Sequence, residues 1–424
     1  RNTMPHQHLK ALTVLALTHC FQPPQKNHQS VLLHAKGRGR AAKYHERRDA
    51  EQKYATRLLG LLTHERKEEE RVAKERLEKW SDKRLEDAGL SLTDVRCARL
   101  PRGLYGRPVV RLEKPRRRGE RAPPLLPRHH RFGSGDLCIV APGTMGGCGA
   151  AEGTILKTGP RHVDVVLSSA QQADALAREP SARLDQCFSA VSYDRMRAAV
   201  EALTPNARGR DADDASAELR KVLTRDDAVL AAERAGGLTR RCPNDAAARR
   251  ALHDVSGGEL VDAQVRAAVA ALTARVSLIQ GPPGTGKTRT AAALLAAAVA
   301  LRDRESKSRL RPEKRRRALA CAVSNVAADN LLEALLRLNV SAVRVGHPAA
   351  TREELRNHTL DAWALRLGGD DYARARPDTR DEVRRRALLD ADVVVASCVG
   401  AGSDALAPWL GLAPRPDQNQ AQDS

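Results

Sequence analysis

The spacing of hydrophobic positions changes along the chain, and these changes divide it into predicted domains. Residues 1–43 are basic and show no period, which predicts disorder. Residues 44–91 carry apolar side chains at helical spacing among many charges, the pattern of a long, polar helical stalk. In residues 92–195, short β-branched segments alternate with glycine- and proline-rich loops, which predicts a small antiparallel β-barrel. Residues 196–258 are again mostly helical in pattern and predict a helical connection.

Residues 259–424 alternate short apolar segments with longer segments of helical period. This order predicts an α/β domain with a parallel sheet, in which binding sites lie at the carboxyl ends of the strands. The first predicted strand, Val276–Ile279, is apolar enough to be buried, and an alanine- and leucine-rich helix follows it. Three further strands are predicted at residues 318–322, 341–345 and 392–396.

Between the first predicted strand and its helix stands the sequence GPPGTGKT, which fits the phosphate-binding P-loop pattern G-x-x-x-x-G-K-[ST]. Glycines let the backbone turn tightly and bring its amides close to an anion, which the dipole of the following helix also attracts. Lys287 adds a positive charge near the β- and γ-phosphates, and the Thr288 hydroxyl can hold Mg²⁺. The predicted nucleotide-binding residues are Gly281, Pro282, Pro283, Gly284, Thr285, Gly286, Lys287, Thr288 and Arg289.

The charge balance points to a polyanionic partner. Lysine and arginine number 72 against 52 aspartates and glutamates, which gives a net charge of +20. Such an excess favours nucleic acid over a membrane surface, although a compositional bias of the genome is an alternative source of arginine. Aromatic residues make up only 3% of the chain, so platforms for base stacking are scarce.

Cysteines and apolar runs exclude other classes of protein. The eight cysteines are dispersed without a C-x-x-C pair, which indicates neither a zinc site nor a disulfide framework and fits a reducing compartment. No apolar run reaches the roughly 18 residues that cross a bilayer. The apolar segment Leu9–Leu17 is a candidate part of a targeting peptide, but a disordered end is the favoured interpretation.

Three further segments carry candidate chemistry. Gln264 lies shortly before the first predicted strand, and its amide can form paired hydrogen bonds with adenine. Ser324 and Asn325 stand at the end of a predicted strand and just before a helix predicted at Ala327–Arg337, where small polar groups can hold a phosphate of nucleic acid. Ser397–Gly402 is a small, glycine-rich segment at another strand end. Each segment alone is an ordinary feature of a protein surface.

Together with the P-loop, these segments resemble superfamily 1 helicases of the nonsense-mediated-decay type, most of all the immunoglobulin-mu-binding-protein group. The resemblance implies a RecA-like P-loop NTPase domain, preceded by a helical stalk and a small β-barrel. It assigns adenine recognition to Gln264, motif Ia to Ser324 and Asn325, and motif Ic to the segment that contains Ser397 and Gly400. Upstream, the segments that resemble the barrel are Gly103–Arg107, Phe132–Asp136 and Val191–Met196.

The chain departs from this family at two places. Val323 stands where the family usually has proline. After motif Ic the family continues to an Asp-Glu-Ala-x-Gln motif. The only late Asp-Glu pair in this sequence is Asp381-Glu382, which lies among arginines in a helical pattern. This pattern predicts an ion-paired surface. We therefore expect a truncated gene product or a fragment, without the acidic motif or the second RecA-like domain.

The resemblance implies an ATP-dependent helicase that uses Mg²⁺ and moves 5′ to 3′, with Lys287 and Thr288 in catalytic roles. The expected partner is single-stranded DNA or RNA, with no membrane. We expect a monomer in the nucleus or cytoplasm. Two alternatives stay open: a non-catalytic nucleic-acid-binding protein that retains half a helicase, and an unrelated P-loop ATPase.

Overall fold

The computed structural model describes residues 37–115, 130–143, 149–187, 190–204, 245–274, 277–305, 317–369, 372 and 375–406. These residues belong to two compact units. The first unit takes its residues from 1–63, 194–343 and 389–424, and the second from 64–193 and 344–388. The polar stretch at 205–216 and the segment after residue 406 lie outside the described residues.

A long helix, α1, spans Gly37–Lys79. It begins earlier than the predicted stalk, so residues 37–43, which the sequence predicted to be disordered, are helical. Alanine, arginine and lysine in this stretch are good helix formers, and this local preference outweighs the absence of an apolar period. The exposed surface of α1 carries ion pairs one helical turn apart, such as Arg66–Glu70 at 2.7 Å. A short helix, α2, spans Asp82–Asp87, and the Ser81 hydroxyl accepts a hydrogen bond from the first turn.

The second unit contains the predicted β-barrel. Six antiparallel strands close in the order β1-β2-β5-β4-β3-β6. Their inward side chains form one apolar core that includes Leu112, Ile155 and Leu184, all fully buried. The barrel elements are β1 Ser91–Arg99, β2 Val109–Glu113, β3 Leu137–Pro142, β4 Ala151–Thr158, β5 Val163–Leu167, α3 Ala170–Arg178 and β6 Ala182–Gln186.

Residues 344–388 pack on the barrel within the same unit. The Ser134 hydroxyl lies 2.9 Å from the carbonyl oxygen of Leu156 in the barrel and 3.0 Å from that of Ala349. Ala349 is buried with Val109 and Val166 in a small apolar cluster. Asp361 pairs with Arg107 at 3.4 Å. The elements of this part are two 3₁₀ helices at Pro348–Ala350 and Glu353–His358, and then α9 Leu360–Gly368 and α10 Pro377–Asp390.

The first unit has an α/β architecture. Its sheet has the strand order β7-β9-β8, with β7 and β9 parallel in the register Ala318↔Val393 to Ala322↔Ser397. Buried alanines and leucines of one helix, α7, pack against the other helices of the unit. The elements are α4 Ala190–Glu201, α5 Asp245–Ser256, α6 Asp262–Thr273, α7 Lys287–Glu305, β7 Ala318–Ala322, α8 Asn325–Arg337, β8 Ala342–Val345 and β9 Val393–Ser397.

The strand predicted before the P-loop is not present where the structure describes that segment. Residues 277–280 pair with none of β7–β9, and Leu278 is 89% exposed. The prediction of a buried strand at Val276–Ile279 is therefore wrong for residues 277–279. The apolar composition was suitable, but a strand also needs a hydrogen-bonded neighbour, and the described strands pair with one another instead.

Candidate nucleotide and nucleic-acid site

The P-loop forms the turn that the sequence predicts. Gly284 and Gly286 adopt φ values of +80° and +76°, in the left-handed region that glycine accepts without strain. The Thr285 hydroxyl donates a hydrogen bond to the carbonyl oxygen of Pro282 at 2.8 Å. Helix α7 begins immediately after the loop, at Lys287. The loop is thus a closed turn at a helix N-terminus, where amide groups and the helix dipole favour an anion.

Lys287 turns its side chain back over this loop. Its ammonium group donates hydrogen bonds to the carbonyl oxygens of Gly281 and Pro282, each at 2.8 Å. An ammonium group has three donors, and both contacts are to neutral acceptors. Anionic phosphate oxygens form stronger hydrogen bonds with such a group than neutral carbonyl oxygens do. The side chain is therefore held at the position from which it can transfer to a phosphate.

Thr288 is the second residue of α7 and is exposed. Its hydroxyl is a hard oxygen ligand of the kind that Mg²⁺ accepts, and Mg²⁺ usually keeps several waters and phosphate oxygens around one or two protein ligands. A single hydroxyl beside a phosphate loop fits that requirement. Among the described residues, no group of three or more His, Cys, Asp or Glu side chains can hold a metal ion.

Gln264 lies against the P-loop, in the first turn of α6. Its Nε2 donates to the carbonyl oxygen of Thr285 at 3.0 Å, and its Oε1 accepts from the backbone amide of Val261 at 3.1 Å. The contact with the loop is close, since a Cβ added to Gly286 would lie 2.7 Å from Nε2. The structure brings this predicted residue into the site; adenine recognition by its amide stays a prediction.

Arg289 is held by a residue that the sequence analysis missed. Its guanidinium group forms an ion pair with Glu259, which precedes α6. The side chains of Arg289 and Glu259 are 51% and 71% exposed. Glu259 belongs to none of the sequence motifs and lies 30 residues before Arg289. The sequence therefore contained no pattern that predicted this ion pair.

The segments predicted to bind nucleic acid are adjacent in the structure. Ser324 and Ser397 stand at the carboxyl ends of β7 and β9, which pair in parallel. The Ser324 hydroxyl accepts from the amide of Ala327 at 3.2 Å, and the Ser397 hydroxyl accepts from the amide of Gly400 at 2.9 Å. The Ser324 hydroxyl thereby caps α8, whereas the Ser397 hydroxyl stabilises the turn that follows β9. Each hydroxyl accepts through an oxygen lone pair and keeps its hydrogen to donate.

Asn325 is the first residue of α8, and two exposed apolar side chains lie on either side of the Ser324–Asn325 pair. Val323 and Val326 are 69% and 65% exposed. From the sequence, Val323 was only a departure from the family pattern, and neither valine was predicted to be part of a surface. Their exposure places apolar groups beside the predicted phosphate-binding groups.

The late Asp-Glu pair has the environment that its sequence predicts. Asp381 and Glu382 lie in α10, with exposed side chains. Glu382 pairs with Arg385 at 2.7 Å, and Asp381 lies 3.6 Å from Arg384. Arg385 lowers the pKa of the Glu382 carboxyl through a hydrogen bond and its charge. The prediction of an ion-paired surface is confirmed.

Family models match two parts of the chain. The model of the SMUBP-2/HCS1 helicase 1B domain matches residues 55–186, which contain the barrel. A model of an AAA domain matches residues 259–368, which contain Gln264, the P-loop and Ser324. Among the described residues, no helix combines the length and apolarity needed to cross a membrane.

Curated relatives match over the same parts. The DNA-binding protein SMUBP-2 of Rattus norvegicus is 29% identical over 332 residues, which cover 78% of this chain and 30% of that protein. A regulator of nonsense transcripts 1 homolog of Neurospora crassa is 32% identical over 35% of this chain and 14% of its own length. The DNA polymerase alpha-associated DNA helicase A of Schizosaccharomyces pombe is 33% identical over 23% of this chain and 13% of its own length.

The chain thus spans about 30% of the length of the SMUBP-2 relative. The two family models match on either side of the helical connection, in the order that the resemblance predicted. The P-loop turn, the six-stranded barrel and the matched relatives all indicate a helicase of this type. Over the residues that the two family models match, the chain is similar to superfamily 1 helicases of the group that includes SMUBP-2 and the regulators of nonsense transcripts.

Proposed function

We propose that this chain binds ATP with Mg²⁺ and single-stranded DNA or RNA, as the N-terminal part of an ATP-dependent helicase that moves 5′ to 3′. Residues 259–424 would form its first RecA-like domain, behind a stalk and a barrel. The observation that carries this proposal is the P-loop turn, with Lys287 folded over it and Gln264 against it. Relatives named as helicases and as a DNA-binding protein support it.

On the nucleotide side, each residue has a distinct task. Lys287 exchanges its two carbonyl partners for β- and γ-phosphate oxygens, and Thr288 supplies an oxygen to Mg²⁺. The metal, when bound, neutralises charge on the phosphates. Gln264 uses one amide hydrogen and one lone pair within the protein, which leaves one donor and one acceptor. That pair of groups matches the N6 and N7 edge of adenine.

On the nucleic-acid side, Ser324 and Ser397 donate their hydroxyl hydrogens to phosphate oxygens. Ser324 stands at the N-terminus of α8, whose dipole favours the same anion. Such contacts bind the backbone and do not select a sequence. The net charge of +20 supplies the long-range attraction. We propose a monomer that acts in the nucleus or cytoplasm.

Calorimetry with ADP and Mg²⁺ tests the nucleotide site. Lys287→Ala removes the charge that faces the phosphates and should weaken binding several-fold or more. Gln264→Ala should mainly lower the preference for ATP over GTP. Equal ADP affinity of the parent and Lys287→Ala would contradict the role of Lys287, and an unchanged ATP/GTP ratio would remove Gln264 from adenine recognition.

Titration with a fluorescent single-stranded oligonucleotide tests the second ligand. If phosphate contacts dominate, affinity should fall steeply and linearly on a logarithmic scale as salt rises. A flat dependence on salt, or no binding at low salt, would contradict the proposal. The parent and Lys287→Ala should bind the oligonucleotide alike without nucleotide, which separates the two sites.

A second candidate function is nucleic-acid binding without turnover. The 424 residues contain no Asp-Glu-Ala-x-Gln motif, and hydrolysis in P-loop enzymes needs an acidic residue for Mg²⁺ and a group that orients water. We therefore expect the 424-residue polypeptide to show only background ATP hydrolysis, with or without oligonucleotide. Stimulated hydrolysis that Lys287→Ala abolishes would contradict this expectation and favour an acidic ligand elsewhere in the chain.

A further inference from the structure

Beside the P-loop, the structure holds a charged group that the tasks above do not use. Arg289 is the third residue of α7, directly after Thr288, and its guanidinium group is paired with Glu259. Both side chains are more than half exposed to solvent. An exposed ion pair of this kind contributes little to stability, because water screens the attraction and both side chains lose conformational freedom.

The location of this pair relates it to the nucleotide. Glu259 precedes α6, and Gln264, in the first turn of α6, touches the loop at Thr285. Arg289 therefore lies on the side of the P-loop that faces α6. If the loop amides and Lys287 hold the β-phosphate and Gln264 faces the base, the α-phosphate joins these positions and passes on the side of Arg289.

The two possible partners of Arg289 differ in strength. Arginine binds phosphate through two parallel, charge-assisted hydrogen bonds, which exceed a screened surface contact with one carboxylate. A nucleotide can therefore displace Glu259 from the guanidinium group. Glu259 also places a negative charge near the incoming phosphates, so its presence opposes binding.

We propose that Arg289 releases Glu259 and binds the α-phosphate of adenine nucleotides, so that Glu259 is a competitor that lowers nucleotide affinity. This inference rests on the proposed nucleotide site. It gives Arg289 a defined ligand, and it gives Glu259 a role that a simple structural contact between α6 and α7 does not predict. If Glu259 competes with the nucleotide, Glu259→Gln should raise the affinity for ADP. If Glu259 only stabilises the contact between α6 and α7, the same substitution should lower that affinity or leave it unchanged.

The experiment is calorimetry with ADP on Arg289→Gln, Glu259→Gln and the double variant, at constant low salt. We expect Arg289→Gln to weaken ADP binding about tenfold, the value of one charge-assisted contact. Glu259→Gln should tighten binding about two- to fivefold by freeing the arginine and removing a negative charge. The double variant should bind ADP more tightly than Arg289→Gln, because it also lacks the negative charge of Glu259, but more weakly than Glu259→Gln.

Two further ligands locate the contact. AMP carries the α-phosphate alone, so Arg289→Gln should weaken AMP binding by a similar factor, whereas Lys287→Ala should affect AMP much less than ADP. Adenosine lacks phosphate and should bind all these variants alike. An Arg289→Gln effect confined to ADP would overturn the assignment to the α-phosphate.

A matched ion pair on the same helix serves as the control. Asp254 and Arg304 pair at 2.8 Å near the C-terminal end of α7, and both side chains are 54% exposed. Asp254→Asn should leave ADP affinity unchanged. If Glu259→Gln weakens ADP binding or leaves it unchanged, the proposal is wrong. If the parent chain fails to bind ADP, the proposed function itself is wrong, and the two failures are thereby distinguished.

Discussion

Gly135 allows the barrel to approach residues 348–350 within the second unit, and Gly135→Ala should disturb that contact. Its φ is +91°, and a Cβ built there would lie 2.8 Å from the Cα and 2.9 Å from the Cβ of Ala350. The Gly135 amide also donates to the carbonyl oxygen of Ile155 at 2.7 Å, which fixes the backbone on the barrel side. The new methyl group therefore meets a backbone atom that cannot move aside easily.

Two effects add up to the expected cost. An alanine at positive φ loses about 1–2 kcal/mol relative to its preferred conformations. Overpacking a close contact costs a further 1–3 kcal/mol, roughly. Gly369 provides a control in the same unit, since it has φ +64° and no atom within 4 Å of a built Cβ. Gly369→Ala should therefore show only the backbone cost.

Urea denaturation followed by circular dichroism measures both variants. Gly135→Ala should lower the free energy of unfolding by about 2–5 kcal/mol. Gly369→Ala should lower it by about 1–3 kcal/mol, because its φ of 64° and ψ of −160° lie in a region that only glycine readily adopts. The difference between them reports the contact with Ala350. If both variants lose the same amount, the barrel does not depend on close packing against residues 348–350, and the reasoning fails.

Three further predictions concern polar groups in both units. Asp361 is 9% exposed and contacts the guanidinium groups of Arg107 and Arg384. Asp361→Asn should therefore lower the free energy of unfolding in urea by about 1–3 kcal/mol. The control Asp381→Asn, on the exposed surface, should lower it by under about 0.5 kcal/mol. Ser324→Ala should remove a helix cap worth about 1 kcal/mol and also weaken oligonucleotide binding; a loss of stability without weaker binding would remove Ser324 from the nucleic-acid site. Burial lowers the pKa of His347 from 6.5 to about 4, so the unfolded chain binds more protons between these values. Stability should therefore fall as pH drops through that window, by up to roughly 3 kcal/mol from this residue. His347→Asn should reduce the slope and leave the part due to His358, whose pKa burial also lowers.

The elements that could be predicted are those whose signal is local. The glycine pattern of the P-loop specifies a turn through two left-handed residues, and both glycines adopt it. Strands β2 to β5 are rich in β-branched or apolar residues, so composition alone marked them. A helix was predicted from Ala327, just after Ser324, and the observed helix α8 begins two residues earlier, with Ser324 as its cap.

The elements that were missed depend on partners distant in sequence. Strand β6 contains Arg183, which is 2% exposed and forms hydrogen bonds with Asp82 and Ser91, each at 3.2 Å. A buried arginine is tolerated only with such partners, and composition argued against a strand there. Strand β1 likewise mixes charged and apolar residues. The partnership of Arg289 with Glu259 has the same origin, because the fold and not the local sequence brings the two together.

Within the first unit, the two predicted phosphate-binding positions follow the same design. Helix α7 begins at Lys287, helix α8 begins just after Ser324, and the two helices pack against each other. Each N-terminus presents the positive end of a helix dipole, which favours an anion. One is preceded by a glycine loop that can surround a terminal phosphate chain, and the other by a strand end that leaves its surface open. Under the proposed function, the difference in the preceding segment, rather than in the helices, would fit one N-terminus to a nucleotide and the other to a continuous phosphate backbone.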